Sequence, residues 1–185
     1  IIPEVSLITN IGLDHISFLG NSLESIAFEK AGIIKDAIPI VISETQFEVA
    51  NIFQELSISK DAPLFFADQN CTHFYETDLL GHYQQKNCHG VICVIDNLKG
   101  FEVSEDNIVS GLKNIVSNTG LQGRWQILQQ SPKVICDTAH NTEGLNLTMK
   151  QLLQEPYEEL RIVFGVVSDK ETQQNVLSKL CSNLK

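Results

Sequence analysis

The 185 residues contain no glycine followed by lysine, and hence no Gly-x-x-x-x-Gly-Lys-[Ser/Thr] phosphate loop. No Gly-x-Gly-x-x-Gly turn follows a strand-like run, which disfavours a dinucleotide-dependent dehydrogenase. Basic residues are scarce, 13 against 23 acidic ones, for a net charge of -10. Phosphate binding leans on clustered cations, so this balance argues against a general nucleic-acid or membrane-surface binder. The five cysteines (Cys71, Cys88, Cys93, Cys136, Cys181) are odd in number and widely spread, with no Cys-x-x-Cys. Neither a disulfide framework nor a structural zinc site is suggested, and a reducing cytoplasm is the expected compartment. No apolar run approaches a membrane span, and no basic segment leads into an apolar core at the start. Internal repeats and low-complexity tracts are also missing.

What is present is a globular composition, with 43% apolar residues, enough to exclude disorder as the main state. Ile1 lies inside an apolar stretch and Lys185 closes a helical pattern, so the sequence is expected to be a piece of a longer enzyme.

Along the chain, apolar β-rich runs alternate with helical spacing. Residues 5–11 read as a buried strand ending in the Gly12 turn. Asn21 offers an N-cap with Glu24 three residues on, and Leu23, Ile26, Ala27, Ala31 and Ile34 mark a helix up to about Ile34. Further strands are expected at 39–43 and 64–67, with a helix at 46–56 between them. Such alternation implies parallel pairing through helical crossovers. Residues 69–81 carry no clean period. The run 83–98 fits a helix, although its β-branched content leaves a strand open. Ser104 caps a helix to Val116, and the turn-rich stretch 117–123 marks a boundary between segments 1–118 and 119–185. Beyond it the rhythm restarts with strands at 133–136 and 160–167 and helices at 143–153 and 171–184, the opening of another parallel α/β unit.

Ligands gather outside the carboxyl ends of strands in open parallel sheets, where three polar clusters fall: Asp14-His15, Asp137-Thr138-Ala139-His140-Asn141 and Ser168-Asp169-Lys170. Each is either a site or a set of helix caps. His15 reads as a metal ligand or as a histidine bonded to nearby backbone. Lys30 shares the helical stripe of Leu23, Ile26, Ala27 and Ile34, where an apolar side chain is expected. Either its stem snorkels to water, or its amine is free to react, for instance with carbon dioxide to give an oxygen-ligating carbamate. Arg124 suits phosphate oxygens or a plain surface. Gln84 and Asn87, one helical turn apart, either read a purine edge together or stand in solvent.

Taken in order, these residues resemble a known family. The segments are Ile8-Thr-Asn-Ile-Gly-Leu-Asp-His15, Leu19-Gly20, Leu23-Glu24-Ser-Ile-Ala27, Glu29-Lys-Ala-Gly-Ile-Ile-Lys35, Gly81-His-Tyr-Gln-Gln-Lys-Asn87, Gly123-Arg-Trp-Gln126, Asp137-Thr-Ala-His-Asn141 and Ser168-Asp-Lys170. Together they are similar to the folylpolyglutamate synthase and dihydrofolate synthase family, within the Mur-ligase group of ATP-dependent amide-forming enzymes. The resemblance implies an α/β fold: part of a P-loop-type central ATPase domain over 1–118, then the start of a Rossmann-like C-terminal domain over 119–185, with ATP bound between the two.

Carried over residue by residue, it implies that His15 is a magnesium ligand and Lys30 a carbamylated lysine near a second magnesium. Asn87 becomes an adenine contact, Arg124 a phosphate contact and Asp137 a ribose contact. Lys30 and His140 are the implied catalytic residues, His140 near the nucleotide phosphates. The implied reaction activates a carboxylate of dihydropteroate or folate with ATP and Mg2+, giving an acyl phosphate that the amino group of L-glutamate attacks. A cytoplasmic monomer is implied, with no nucleic acid or membrane partner. The phosphate loop, an upstream glutamate metal ligand and most of the folate surface are expected to precede Ile1, so these 185 residues alone are expected not to turn over ATP. Within catalysis the alternative is a ligase of cell-wall precursors. From another class it is a non-catalytic nucleotide-binding module.

Overall fold

The computed structural model describes residues 1–13, 16–71 and 73–165. The Asp14-His15 pair, the Ser168-Asp169-Lys170 turn and the expected helix at 171–184 lie outside the described residues. The chain divides into two units, one formed by Ile1–Asp78 with Tyr83–Thr119, the other by Leu79–His82 with the described residues from Gly120 on.

The first unit is built on three parallel strands, β1 (Ser6–Ile8), β2 (Ile40–Ile42) and β3 (Leu64–Phe66), in the order β1-β2-β3. Ser6 pairs with Ile40 and Ile40 with Leu64. β2 is buried at every residue, which explains an unbroken apolar run rather than an alternating one. Its side chains still alternate between faces. Ile40 and Ile42 join a core with Ile8, Ile26, Ala27, Ile34, Val49 and Phe53, whereas Val41 joins Ala67 and Cys93.

Helices follow the first two strands. α1 (Ile16–Leu19) leads into α2 (Leu23–Ala31), and α3 (Ala50–Ser59) comes after β2. Ser22, not Asn21, caps α2: its side chain accepts from Ser25 N at 3.2 Å while Ser25 Oγ accepts from Ser22 N at 3.3 Å. The cause is Gly20, at φ +99°, where the chain passes so close to Ser25 that a Cβ would overlap its hydroxyl. α3 begins four residues later than the spacing predicts, because Gln46 is taken up by a turn; its carbonyl accepts from Val49 N and Ala50 N.

α4 (Ala67–Asn70) follows β3, and α5 (Gln84–Asp96) fills the run that the sequence leaves open between helix and strand. The helix buries Cys88, Ile92 and Cys93 at one-turn spacing. α6 (Glu105–Lys113) is capped by Ser104, as its spacing predicts, with Asn107 completing the reciprocal bond. Residues 115–119, expected in part to be linker, form α7 (Ile115–Thr119). Asp78 supplies what the turn-rich sequence does not, its carboxylate accepting from Ile115 N at 3.1 Å and Val116 N at 2.9 Å.

The second unit holds an antiparallel hairpin, β4 (Gln126–Gln130) and β5 (Lys133–Cys136), and the helix α8 (Thr142–Leu152). The sequence pattern reveals β5 but not β4, whose glutamines hide the alternation of a strand. Residues 160–165 carry no strand, against expectation. A β-rich run becomes a strand only when a neighbouring edge pairs with it, and the pairing that β5 makes among the described residues is with β4. Leu145 and Met149 form the core of this unit with Ala139, Leu152 and Phe164. The buried Gln151 accepts from His82 N at 2.8 Å and donates to Leu80 O at 2.9 Å, so it holds the Leu79–His82 strap onto α8 by both ends of its amide. Among the described residues, no helix is long and apolar enough to cross a membrane.

Candidate functional site

In the first unit the chemistry-bearing residues meet at the carboxyl end of the parallel sheet, where loops leave the strands. Four consecutive residues after β2 tie this end together. Ser43 lies under Gly90 of α5, so closely that a Cβ on Gly90 would overlap Ser43 Oγ. Glu44 pairs with Lys86, also on α5. Thr45 donates to Asp68 through its backbone N at 2.7 Å and its hydroxyl at 2.6 Å, and it accepts from Gln69 at 2.9 Å. Gln46 grips the loop after β1, accepting from Ile11 N at 2.7 Å and donating to Ile11 O at 2.8 Å. Sequence reasoning misses these four, since a Ser-Glu-Thr-Gln run after a strand carries no spacing signal.

Lys30 reaches the same loop, its half-buried side chain donating from Nζ to Asn10 O at 3.2 Å. This resolves its position on the apolar stripe as a stem that runs along the helix to a carbonyl. Asn87, in the first turn of α5, donates from Nδ2 to Gln84 Oε1 at 2.8 Å. Gln84 is 5% exposed, so the reading of two solvated amides is replaced by one buried amide holding another. His15 lies outside the described residues. Among the described residues, no group of three or more His, Cys, Asp or Glu is gathered to hold a metal ion. A free ammonium at Lys30 is no ligand, so the described groups do not by themselves make a magnesium site.

The second unit brings Arg124, Asp137 and His140 onto one pair of laced loops. Gly123, at φ +70°, turns the chain into β4, and its carbonyl accepts from Thr138 N at 2.9 Å and Thr138 Oγ1 at 3.1 Å. A Cβ on Gly123 would meet Thr138 Cγ2 at 2.5 Å, so the crossing requires glycine. Arg124 donates from Nη1 to Thr138 Oγ1. Asp137 fastens the same crossing with both oxygens, Oδ2 accepting from Trp125 N and Oδ1 from Ala139 N, each at 2.8 Å. Trp125 takes φ +48° and is 2% exposed, so the indole anchors this turn while Arg124 beside it stays exposed. His140 Nδ1 lies 3.0 Å from Thr138 O.

Asn141 caps α8, its Oδ1 accepting from Gly144 N at 2.8 Å, which bears out the capping reading for that residue. The loop thus presents an exposed guanidinium and an exposed imidazole on a base that the Asp137 carboxylate holds together, groups suited to an anionic ligand.

No protein-family model matches the chain, but individual proteins do. The dihydrofolate synthase/folylpolyglutamate synthase of Bacillus subtilis (strain 168) is 31% identical over 206 residues, covering 96% of this chain and 46% of the relative. That of Escherichia coli (strain K12) is 32% identical over 186 residues, covering 91% and 42%. The chain therefore spans a little under half the length of these relatives. Among solved structures, an FPGS-AMPPCP-folate complex superposes with a TM-score of 0.86 over 99% of this chain and 50% of that one, at 24% identity. E. coli FolC in complex with ADP superposes with a TM-score of 0.68 at 26% identity, covering 83% of this chain and 39% of that one.

Proposed function

Because the chain belongs to the folylpolyglutamate synthase/dihydrofolate synthase family, with its α/β Mur-ligase fold, we propose that the protein containing these residues is an ATP-dependent ligase. It joins L-glutamate to dihydropteroate, to folate, or to both. Residues 1–118 form the C-terminal part of its central ATPase domain and 119–185 the first part of its Rossmann-like C-terminal domain. The observation that carries this reading is the laced turn of Gly123, Arg124, Asp137 and His140, in a chain whose relatives bear those names and whose structural neighbours hold ADP or an ATP analogue.

In this reading, Arg124 offsets charge on the nucleotide phosphates, with His140 beside it. Asp137 accepts from the ribose hydroxyls, a carboxylate having about four lone-pair sites over its two oxygens. Asn87 contacts adenine. His15 and a carbamylated Lys30 would hold Mg2+, whose part is to draw charge from the transferring phosphoryl group. The γ-phosphoryl passes to a carboxylate oxygen of the pterin-containing substrate and ADP leaves. The glutamate amine then attacks the acyl carbon, phosphate departs, and the amine gives up a proton.

The test is ADP release by the full-length gene product with ATP, Mg2+ and L-glutamate. Dihydropteroate, tetrahydrofolate and muramyl precursors are offered in turn. Turnover that requires glutamate and a pterin substrate is expected; turnover with muramyl precursors instead, or none with any acceptor, would overturn the reading. The isolated 185-residue polypeptide, which carries no Gly-Lys dipeptide, should give no glutamate-dependent hydrolysis in the same assay.

A further inference from the structure

We propose that Gln84 sets the purine selectivity of the nucleotide site by holding the Asn87 amide in one of its two orientations. The proposal rests on the reading of Asn87 as the adenine contact and deepens it.

An asparagine amide is nearly symmetric in shape but not in chemistry. Turned one way it offers an acceptor where the other way it offers a donor. A free Asn87 would therefore accommodate either a purine with an amino group at position 6 or one with a carbonyl there. Gln84 removes that freedom. Its Oε1 accepts from Asn87 Nδ2 at 2.8 Å, and Gln84 is only 5% exposed, so water cannot stand in for the lost partner. Turning Asn87 over would set Oδ1 against Oε1, two acceptors facing each other with one bond lost. The bond leaves Asn87 with Oδ1 and its second N–H to offer. That pair matches adenine, which presents an amino donor beside a ring-nitrogen acceptor, and it opposes the carbonyl of guanine.

The backbone beneath the pair is fixed as well. Lys86, between Gln84 and Asn87, is tied to Glu44, and Gly90 lies directly on Ser43. The first turn of α5 is thus anchored to the sheet from below, and the Gln84 contact is what remains to orient the amide. Gln84 acts through Asn87 and touches no substrate in this scheme, so it is a positioning residue.

The experiment compares kcat/KM for ATP and for GTP in the full-length gene product, wild type against Gln84→Met, Gln84→Glu and Asn87→Ala. Met keeps the bulk without an acceptor, whereas Glu keeps the acceptor oxygen. Gln84→Met should lower the ATP/GTP ratio about tenfold or more, the scale of one bidentate base contact, through KM for ATP with kcat little changed. Gln84→Glu should keep most of the ratio. A loss of folding alone would depress both nucleotides equally and leave the ratio intact.

An unchanged ratio in Gln84→Met alongside a collapsed ratio in Asn87→Ala overturns the role of Gln84 and leaves the adenine contact standing. An unchanged ratio in Asn87→Ala overturns the adenine contact itself. If Gln84→Met does not fold, Gln84→Glu decides the matter: a collapsed ratio there counts against the proposal and a retained one supports it.

Discussion

Replacing Gly90 by alanine is expected to lift α5 from the sheet. A Cβ at that position overlaps Ser43 Oγ outright, and it would also lie 3.0 Å from Ser43 Cβ and 3.3 Å from Leu7 Cδ1. Rotating the serine hydroxyl relieves only the first contact, so the helix must move by some tenths of an ångström. Overpacking a close-packed interior costs about 1–3 kcal/mol, and an overlap this severe belongs in the upper half of that range. Alanine in place of glycine in a helix returns about 1 kcal/mol, which leaves a net loss of about 1–2 kcal/mol.

Ser43→Ala provides the internal check. The serine is 1% exposed and its Oγ has no hydrogen-bond partner, so deleting it should be neutral or mildly stabilising. The double variant should recover more than half the loss, a coupling of about 1 kcal/mol. Urea unfolding followed by far-UV circular dichroism reads the helices. Fluorescence of the lone tryptophan, Trp125, reads the second unit and should shift little. The reasoning is refuted if Gly90→Ala is as stable as wild type, or if Ser43→Ala fails to relieve it.

Gln46→Ala should speed amide hydrogen exchange at Ile11, whose N–H loses its acceptor, while exchange at Leu145 stays as it was; equal rates at Ile11 would count against the grip described above. Asp137→Ala removes two bonds from a carboxylate to backbone N–H and should destabilise the second unit by about 1.5–3 kcal/mol, seen as an earlier tryptophan transition. Asp137→Asn, which keeps one acceptor, should fall between. Burial, reinforced by the neighbouring Cys71, pushes the Cys93 thiol up to about 12 from the ordinary 9.0. The unfolded thiol ionises first, so the contribution of Cys93 to stability is complete below pH 9.0 and declines as pH rises from there toward about 12. Cys93→Ala should flatten the alkaline fall in urea midpoint, and an identical fall in both proteins would argue against it.

The elements most legible in the sequence are those whose burial alone dictates their pattern. β2, covered on both faces, shows an unbroken apolar run, and Ser104 announces α6 by a local bond to Asn107. The elements that escape depend on partners distant in sequence. α7 is capped by Asp78, 37 positions before Ile115, and α3 starts late because Gln46 serves Ile11, 35 positions away. β4 is hidden because its glutamines obscure alternation and its partner lies across a turn. At the site, the motif residues Arg124, Asp137 and His140 stand out by type. Their mutual arrangement through Thr138 and the Gly123 carbonyl does not, because a backbone crossing leaves no mark in residue spacing.

The strap at Leu79–His82 bears on how this protein can be dissected. Chain order would place a cut after Thr119, yet the second unit includes four residues from well before that point. A fragment beginning at Gly120 would carry Gln151, 6% exposed in the intact fold, with neither His82 N nor Leu80 O to meet it. The matching N-terminal fragment would carry a stretch of backbone with nowhere to dock. The second unit is thus discontinuous in the gene, and a recombinant version made as one piece would need the strap fused ahead of Gly120 through a linker.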